Sequence, residues 1–307
     1  MIPGAITVDL DGIDCYHKIY QINSKLSAKE ELAEYTLRNT LPGIRKFLDA
    51  NNIKATFFVI GKDLESDFVA TQLRCFADES HELANHSFSH PYGLPNLPKS
   101  DMLQELERAH KIIQDKTGVT PVGFRTPGYH LSDDLRVVLE NLGYLYSSSM
   151  MTSVTYWLAK YLVVNFHKLF FNVESAVTIH PFTDVLKSST PAYPNKESAG
   201  GRQIIEIPIS TGPFPLQIPL VGSFISLLPF PFLFDLPGGY PPVLNFHALD
   251  FWPDEKHLDS ELRQKELYLK LPLTKRLKRY QSLIDSFKRK GVYFTTLDKI
   301  ACSYRIQ

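Results

Sequence analysis

A distorted (β/α) barrel of about seven strands, in the α/β class, is the fold that this sequence predicts. Three observations carry the expectation. Short runs rich in β-branched and aromatic residues alternate with longer stretches of helical period. Acidic residues and histidines sit just where several of those runs end. The 307 residues, 44% of them hydrophobic, are enough to bury one large core.

The elements follow in order. Residues 4–10 (GAITVDL) read as a strand that runs into an acidic turn. Residues 28–51 place Leu37, Leu41, Ile44, Phe47 and Leu48 near helical period. KATFFVIG (54–61) is the next strand, and 98–117 is a helix with Ser100 as its expected N-cap. VGFRTPGY (122–129) is a strand entering a Pro-Gly turn, and a helix over 132–142 leads to YLYSSSM. IIEIPI (204–209), PVLNFHALDF (242–251) and VYFTTLD (292–298) read as strands, with a Lys- and Arg-rich helix over about 272–290.

Two segments break the rhythm. Residues 150–172 are apolar nearly all round, and residues 212–234 carry no charge. Five prolines in the second segment exclude a spanning helix there. Lys160, Asn165, His167 and Lys168 argue against one in the first. Both read as extra core or loops packed on the barrel, or as an apolar groove or membrane-facing surface beside the site.

Net charge is zero and the pI is about 7.1, so no basic field draws the chain to nucleic acid. Cys15, Cys75 and Cys302 are scattered and odd in number, which fits a reducing compartment. The opening MIPGAITVDLDG has no basic n-region, so a cytoplasmic protein is expected, with association at the inner face of a membrane left open.

The candidate chemistry begins at Asp9 and Asp11. Residues i and i+2 of a strand point to one side, so both carboxylates converge beyond the strand's C-terminal end, although Asp11-Gly12 is also an ordinary turn dipeptide. His86 and His90 have the spacing H-x3-H, which on a helical turn presents two imidazoles to one ion. Asp9 or Asp11 can add the carboxylate of an open divalent-metal site. Arg125 can fork onto a carboxylate, and the Pro127-Gly128 turn can expose a backbone N–H to an oxyanion. His247 ends a late strand as a candidate acid, with Asp250 three residues on.

In combination these stretches resemble the polysaccharide deacetylase family (NodB-homology, carbohydrate esterase family 4). TVDLDG resembles its first motif, in the variant with one residue between the aspartates. HELANHSFSH resembles the second almost throughout, RTPGY the third and LNFH the last. KATFFVIG matches the family's second strand, and LGYLYSSSM a later one, with Ser147 where an aspartate is usual. The likeness covers residues 4–149 well and 204–300 loosely.

The resemblance implies one catalytic domain over 1–307, with insertions at about 150–203 and 212–241. It implies Asp9 as general base, Asp11, His86 and His90 as metal ligands, and Arg125 as the tether of Asp9. It also implies the Tyr129 N–H as an oxyanion donor and His247 as general acid. No clean copy of the family's acid-tuning motif is present; Asp250 and Trp252 are the nearest residues. His81, Glu82 and Asn85 are expected to support the metal-binding stretch.

The implied cofactor is a divalent metal, zinc foremost, with cobalt, nickel, manganese and iron also compatible. The implied activity is removal of an N-acetyl group from an amino sugar of a glycan, a glycan precursor or a lipid-linked sugar. Two other readings stand beside it: a deformylase or other amide hydrolase acting on a lipid-linked sugar, and a non-catalytic, metal-stabilised glycan-binding protein. The implied partner is therefore a carbohydrate, with peripheral membrane or lipid-carrier contact and an open oligomeric state.

Overall fold

The structure is a computed structural model that describes residues 1–22, 32–171, 182, 189–193, 203–228, 236 and 240–305. Parts of both expected insertions (172–181, 183–188, 194–202, 229–235 and 237–239) and the first residues of the helix expected at 28–51 lie outside them. In chain order the elements are β1 (Ile2–Asp9), α1 (Ile13–Tyr20), α2 (Leu32–Asn51), β2 (Thr56–Val59), α3 (Asp67–Asp78), β3 (Glu82–Asn85), α4 (Lys99–Thr117) and β4 (Gly123–Phe124). Then come α5 (Asp133–Asn141), β5 (Tyr146–Ser147), α6 (Val154–Phe171), β6 (Ile205–Glu206), α7 (Gly222–Leu227), β7 (Val243–His247), α8 (Ser260–Lys265), α9 (Leu273–Arg289), β8 (Val292–Phe294) and α10 (Leu297–Arg305).

The sheet is a curled, parallel half-barrel, in the order β6-β5-β4-β3-β2-β1-β7, with β8 pairing the first residues of β1. Parallel neighbours need a crossover, and the helices supply it. Period 2 sorts the strand residues. Ile6 and Val8 of β1, Phe57 and Val59 of β2, and Leu244 and Phe246 of β7 face outward, in one buried cluster with Leu37, Leu41, Ile44 and Leu48 of α2. Burying one such side chain is worth about 1.5–3 kcal/mol. Ala5, Phe58, Ala84, Tyr146 and Val243 form a separate inner cluster. Thr7 and Asp9 share the inward side of β1 with Ala5.

The segment expected as a second insertion also has a structural job. Between β6 and β7, the Ser210 N–H donates to Val243 O at 3.1 Å and the Asn245 N–H to Leu220 O at 2.9 Å. Val221 makes a parallel bridge to Asn245. Residues 210–221 therefore fill the gap where the barrel would otherwise stay open.

Local expectations need two adjustments. The strands expected over 122–129 and 204–209 shrink to two residues each. Ser100 is not the N-cap of α4: Pro98 holds that position, and the Ser100 hydroxyl bonds Asp101 Oδ1 at 2.9 Å. Ser132 caps α5 by accepting from the Leu135 N–H at 3.2 Å. Val154–Phe171 of the apolar stretch form α6, which leaves Leu158, Tyr161 and Leu162 exposed. Among the described residues no helix is long and apolar enough to cross a membrane.

Candidate active site

Parallel register brings the first functional pair together. β1 and β7 align Thr7 with Asn245 and Asp9 with His247. Strand neighbours lie ~4.8 Å apart, so residues far apart in sequence meet at the C-terminal strand ends. His247 Nε2 lies 3.7 Å from Asp9 Oδ2.

Asp11 lies two residues beyond β1 and meets the histidines rather than the acid. Its Oδ1 is 3.5 Å from His86 Nε2 and 3.4 Å from His90 Nε2. One ligand atom from each of the three residues falls within 4.8 Å of the others, and all three residues are buried. The histidines are not on a helical turn, as H-x3-H spacing led us to expect. His86 follows β3, and the loop folds back through left-handed backbone at Ser87 (φ 66) and His90 (φ 57). The Asn85 side chain holds that loop, accepting from the Ser87 N–H at 2.7 Å and donating to Leu106 O and the Tyr144 hydroxyl.

The three residues fit a divalent metal. Asp11 Oδ1 is buried without a hydrogen-bond partner. His86 Nδ1 sits 2.7 Å from Arg125 O; donating there leaves its Nε2 lone pair turned toward Asp11 and His90. Burial opposes charge on Asp11, yet His90 and His86 hold its carboxyl well below the usual range. Two imidazoles and one carboxylate leave coordination positions open.

Asp9 has a different company. Arg125 Nη1 donates to Asp9 Oδ1 at 2.7 Å, and Tyr129 Oη and Asn245 Nδ2 each donate to Asp9 Oδ2 at 2.9 Å. Arg125 does not fork onto Asp9: its Nη2 and Nε go to Ser148 Oγ and Ser148 O, both at 2.8 Å. Its guanidinium stacks over Phe58, 4.0 Å from the ring centre. Burial favours protonation of Asp9, but the Arg125 cation, aided by His86 and His247, holds its pKa below the ordinary aspartate value.

The RTPGY turn contributes differently from the expectation. The Tyr129 N–H already donates within the turn to Thr126 O at 3.2 Å. The phenol reaches the chemistry instead, with its oxygen 2.8 Å from His247 Nε2 and 2.9 Å from Asp9 Oδ2. Asp250 lies behind His247, its Oδ2 accepting the His247 N–H at 2.8 Å and lying 3.9 Å from His247 Nδ1. Burial pushes the Asp250 carboxyl up to about 6, against the pull of His247. Gly222 of α7 closes over it: a Cβ there would lie 2.2 Å from Asp250 Oδ2. Trp252 is part of the core. It packs with Ile13, Tyr16 and Leu249 in a separate buried cluster. The aromatic edges beside His247 are Tyr16 and Tyr129, with ring centres at 6.5 and 6.4 Å.

Asp9, Asp11, His86, His90, Tyr129 and His247 all line one cavity of about 280 Å³, which Tyr156 and Lys160 of α6 also border. Sequence reasoning missed Thr7 and Asn245 as site residues. Thr7 Oγ1 donates to Asn245 Oδ1 at 2.7 Å, and Arg125 bonds both residues. The signal was present: each lies two residues before a functional side chain on the same strand.

Comparisons with known proteins agree with the motifs. Residues 34–147 match the family model described as polysaccharide deacetylase. Chitin deacetylase 1 of Cryptococcus neoformans is 33% identical over 102 residues, 33% of this chain and 21% of that protein. A peptidoglycan deacetylase-like protein of Gibberella zeae is 26% identical over 147 residues, 47% of this chain and 43% of that one. The peptidoglycan-N-acetylglucosamine deacetylase PgdA of Listeria monocytogenes is 31% identical over 88 residues, 28% and 18% of the two chains. The chain thus spans less than half the length of each of these curated relatives. A Mycobacterium smegmatis crystal structure described as a polysaccharide deacetylase shares the fold, with TM-score 0.60 and 18% identity over 100% of this chain and 91% of that one.

Proposed function

The chain belongs to the polysaccharide deacetylase family, and on that premise we propose that it is a metal-dependent hydrolase that removes an N-acetyl group from an amino sugar of a glycan, a glycan precursor or a lipid-linked sugar. The observation that carries this reading is a juxtaposition in one cavity. An Asp-His-His cluster fit for a divalent ion lies beside a carboxylate kept ionised 3.7 Å from an imidazole. A module that only binds glycan needs no acid and base with separated protonation states.

Asp9, ionised by Arg125, takes the proton of the water that attacks the amide carbon. His247 in its protonated form passes a proton to the departing amine as the C–N bond breaks, leaving acetate and the free amino sugar. Asp250 Oδ2 anchors the His247 backbone and aligns the ring. The Tyr129 phenol, hydrogen-bonded to Asp9 and 2.8 Å from His247 Nε2, holds the two groups in one network. Asp11, His86 and His90 would hold the metal, whose contribution when bound is to polarise the carbonyl and acidify water. Zinc suits this donor set, and cobalt, nickel, manganese and iron also do.

The proposal includes a cytoplasmic meeting with the substrate, at or near the inner face of a membrane. The exposed apolar residues Leu158, Tyr161 and Leu162 of α6, with Phe214 and Leu216, support a membrane-surface encounter. Flotation with liposomes that shows no binding, with or without a prenyl-phosphate sugar, would sink that part.

The activity is tested by reconstituting the protein with each metal. Acetate and formate release are then followed from UDP-N-acetylglucosamine, chitooligosaccharides and prenyl-phosphate sugars. Acetate from one of them, lost in Asp9→Asn, is the expected result. Formate alone moves the reading to a deformylase. Neither acid from any substrate leaves the metal-stabilised glycan-binding protein.

A further inference from the structure

Lys160 lies on α6, outside the residues that match the family model, and takes no part in the chemistry above. It is 9% exposed and lines the cavity that holds Asp9, Asp11 and His247. Tyr156 is one helical turn away on the same face and lines the same cavity.

An ammonium group carries three N–H donors. Lys160 Nζ donates one hydrogen bond, to Gly128 O at 3.1 Å. Its other neighbour is the Tyr156 ring, 5.7 Å away at the centre. Among the described residues no carboxylate lies within ion-pair distance of it. Glu266, in the same cavity wall, is taken by the Tyr20 hydroxyl at 2.7 Å.

A buried cation with one carbonyl partner is costly unless an anion joins it. Burial has already moved the Lys160 amine down to about 8, so most of it stays charged at neutral pH and would gain from a counter-ion. The carboxylates of the wall are held by other partners, Asp9 by Arg125, Asp11 by His86 and His90, and Glu266 by Tyr20, and none is within ion-pair distance of Lys160. Ile19, Met151, Val221 and Phe224 are apolar, and Lys160 is the only lysine or arginine among the described lining residues.

We propose that Lys160 is a specificity-determining residue that receives an anionic substituent of the acylated sugar, a phosphate ester or a carboxylate. This deepens the deacetylase reading and rests on it for the identity of the sugar. The inference selects charged sugars over neutral oligomers. A cation on a scaffold element outside the shared motifs is where a substrate preference would be written. The catalytic residues themselves stay on the strand ends.

The test is calorimetric binding to the metal-reconstituted protein, so it does not depend on turnover. The probes are UDP-N-acetylglucosamine for phosphate, N-acetylmuramic acid for carboxylate, and N-acetylglucosamine as the neutral match. The proteins are wild type, Lys160→Met and Lys160→Arg. One charge-assisted contact should make at least one anionic sugar bind roughly tenfold tighter than the neutral one in wild type. Lys160→Met should erase that preference, leave neutral binding within about twofold, and keep the bound metal. Lys160→Arg should retain it. The two anionic arms tell phosphate from carboxylate.

A preference that survives in Lys160→Met overturns the proposal, as does a wild type that favours neither anion. Loss of neutral binding in both variants assigns Lys160 to support of the Gly128 turn and overturns it too. Because the wild-type preference is measured by itself, a Lys160→Met protein that fails to fold leaves the wild-type and Lys160→Arg arms to decide. Failure of the deacetylase reading looks different: anion preference intact, and no acid released from any sugar.

Discussion

Two carboxylates at opposite ends of the strands, Asp9 buried and Glu82 half-buried, are treated in opposite ways. Asp9 ends β1 at the C-terminal side, pressed against Arg125, and is held below the usual aspartate range. Glu82 begins β3 at the other side. It accepts from Thr56 Oγ1 at 2.7 Å, the Tyr146 hydroxyl at 2.8 Å and the Asp298 N–H at 3.1 Å. Among the described residues no cation joins it, and burial, with Asp298 nearby, pushes its carboxyl up to about 7. Both groups are fully hydrogen-bonded. What separates the carboxyl held low from the one pushed up is chiefly one guanidinium, placed by β4 and stacked on Phe58. The same division runs through barrel enzymes generally, where strand C-terminal ends carry chemistry and N-terminal ends carry stability.

The comparison can be broken most severely at Asp9. Asp9→Asn keeps the shape and removes the base, and deacetylation should fall by ~10²–10⁴. Acetate release at saturating substrate measures it; unchanged rates would remove Asp9 from the mechanism.

Arg125→Met makes the two ends alike. Asp9 then sits buried without its strongest cationic partner and should titrate upward, as Glu82 does. The acidic limb of the pH–rate profile should move to higher pH. Breaking this buried pair should also cost about 3–5 kcal/mol in stability, read from denaturant melts. A limb that does not move would mean that hydrogen bonds, and not charge, set the ionisation of Asp9.

Among the described residues the cluster proposed to hold a metal lies at the Asp9 end alone. His90→Ala should lose the stoichiometric metal that elemental analysis finds in the reconstituted wild type, with helical content by circular dichroism unchanged. Full metal occupancy in this variant would contradict the assignment of His90.

Gly222→Ala probes the cover over Asp250. A Cβ placed 2.2 Å from Asp250 Oδ2 must displace that carboxylate, and with it the anchor of His247. A cost of about 1–3 kcal/mol in stability is expected. A loss of kcat larger than any change in KM would show that the acid was disturbed and not binding.

Glu82→Gln should be the mildest. Glu82 titrates at about 7 when folded against an ordinary 4.5, so the folded state holds its proton longer than the unfolded chain. Stability is therefore full below about pH 4.5 and falls as pH rises to about 7. The variant should flatten part of that decline, by about 1–3 kcal/mol, with little effect on activity at neutral pH. A wild-type stability that rises across this window would refute the assignment.

Much of this was legible in the chain. Strand runs and helical stripes are local, and α2, α4, α5 and α9 lie close to where periodicity placed them. Asp9, Asp11, His86, His90, Arg125 and His247 were picked out by type and spacing, because strand ends gather chemistry in parallel sheets. Other features were not legible, for a common reason. Residues 210–221 close the barrel through backbone hydrogen bonds, which leave no trace in side-chain pattern. Lys160 read as a polar interruption of an apolar helix, since its neighbours come from Gly128 and the cavity wall. Trp252 lies close to His247 in sequence, but the helical turn after β7 carries it into the buried cluster of Ile13, Tyr16 and Leu249.

The sequence by itself determined the α/β class, the likeness to the family and the inventory of reactive groups, because these follow from residue type, order and short-range period. Only the tertiary structure decided what each group is. It assigned Asp11 to the histidines and Asp9 to Arg125, and it turned the Tyr129 phenol, not its N–H, toward His247. Ionisation and ligation depend on which charges and donors lie within a few ångströms. Those neighbours are supplied by strands and loops tens to hundreds of residues away, so they exist only once the barrel has closed.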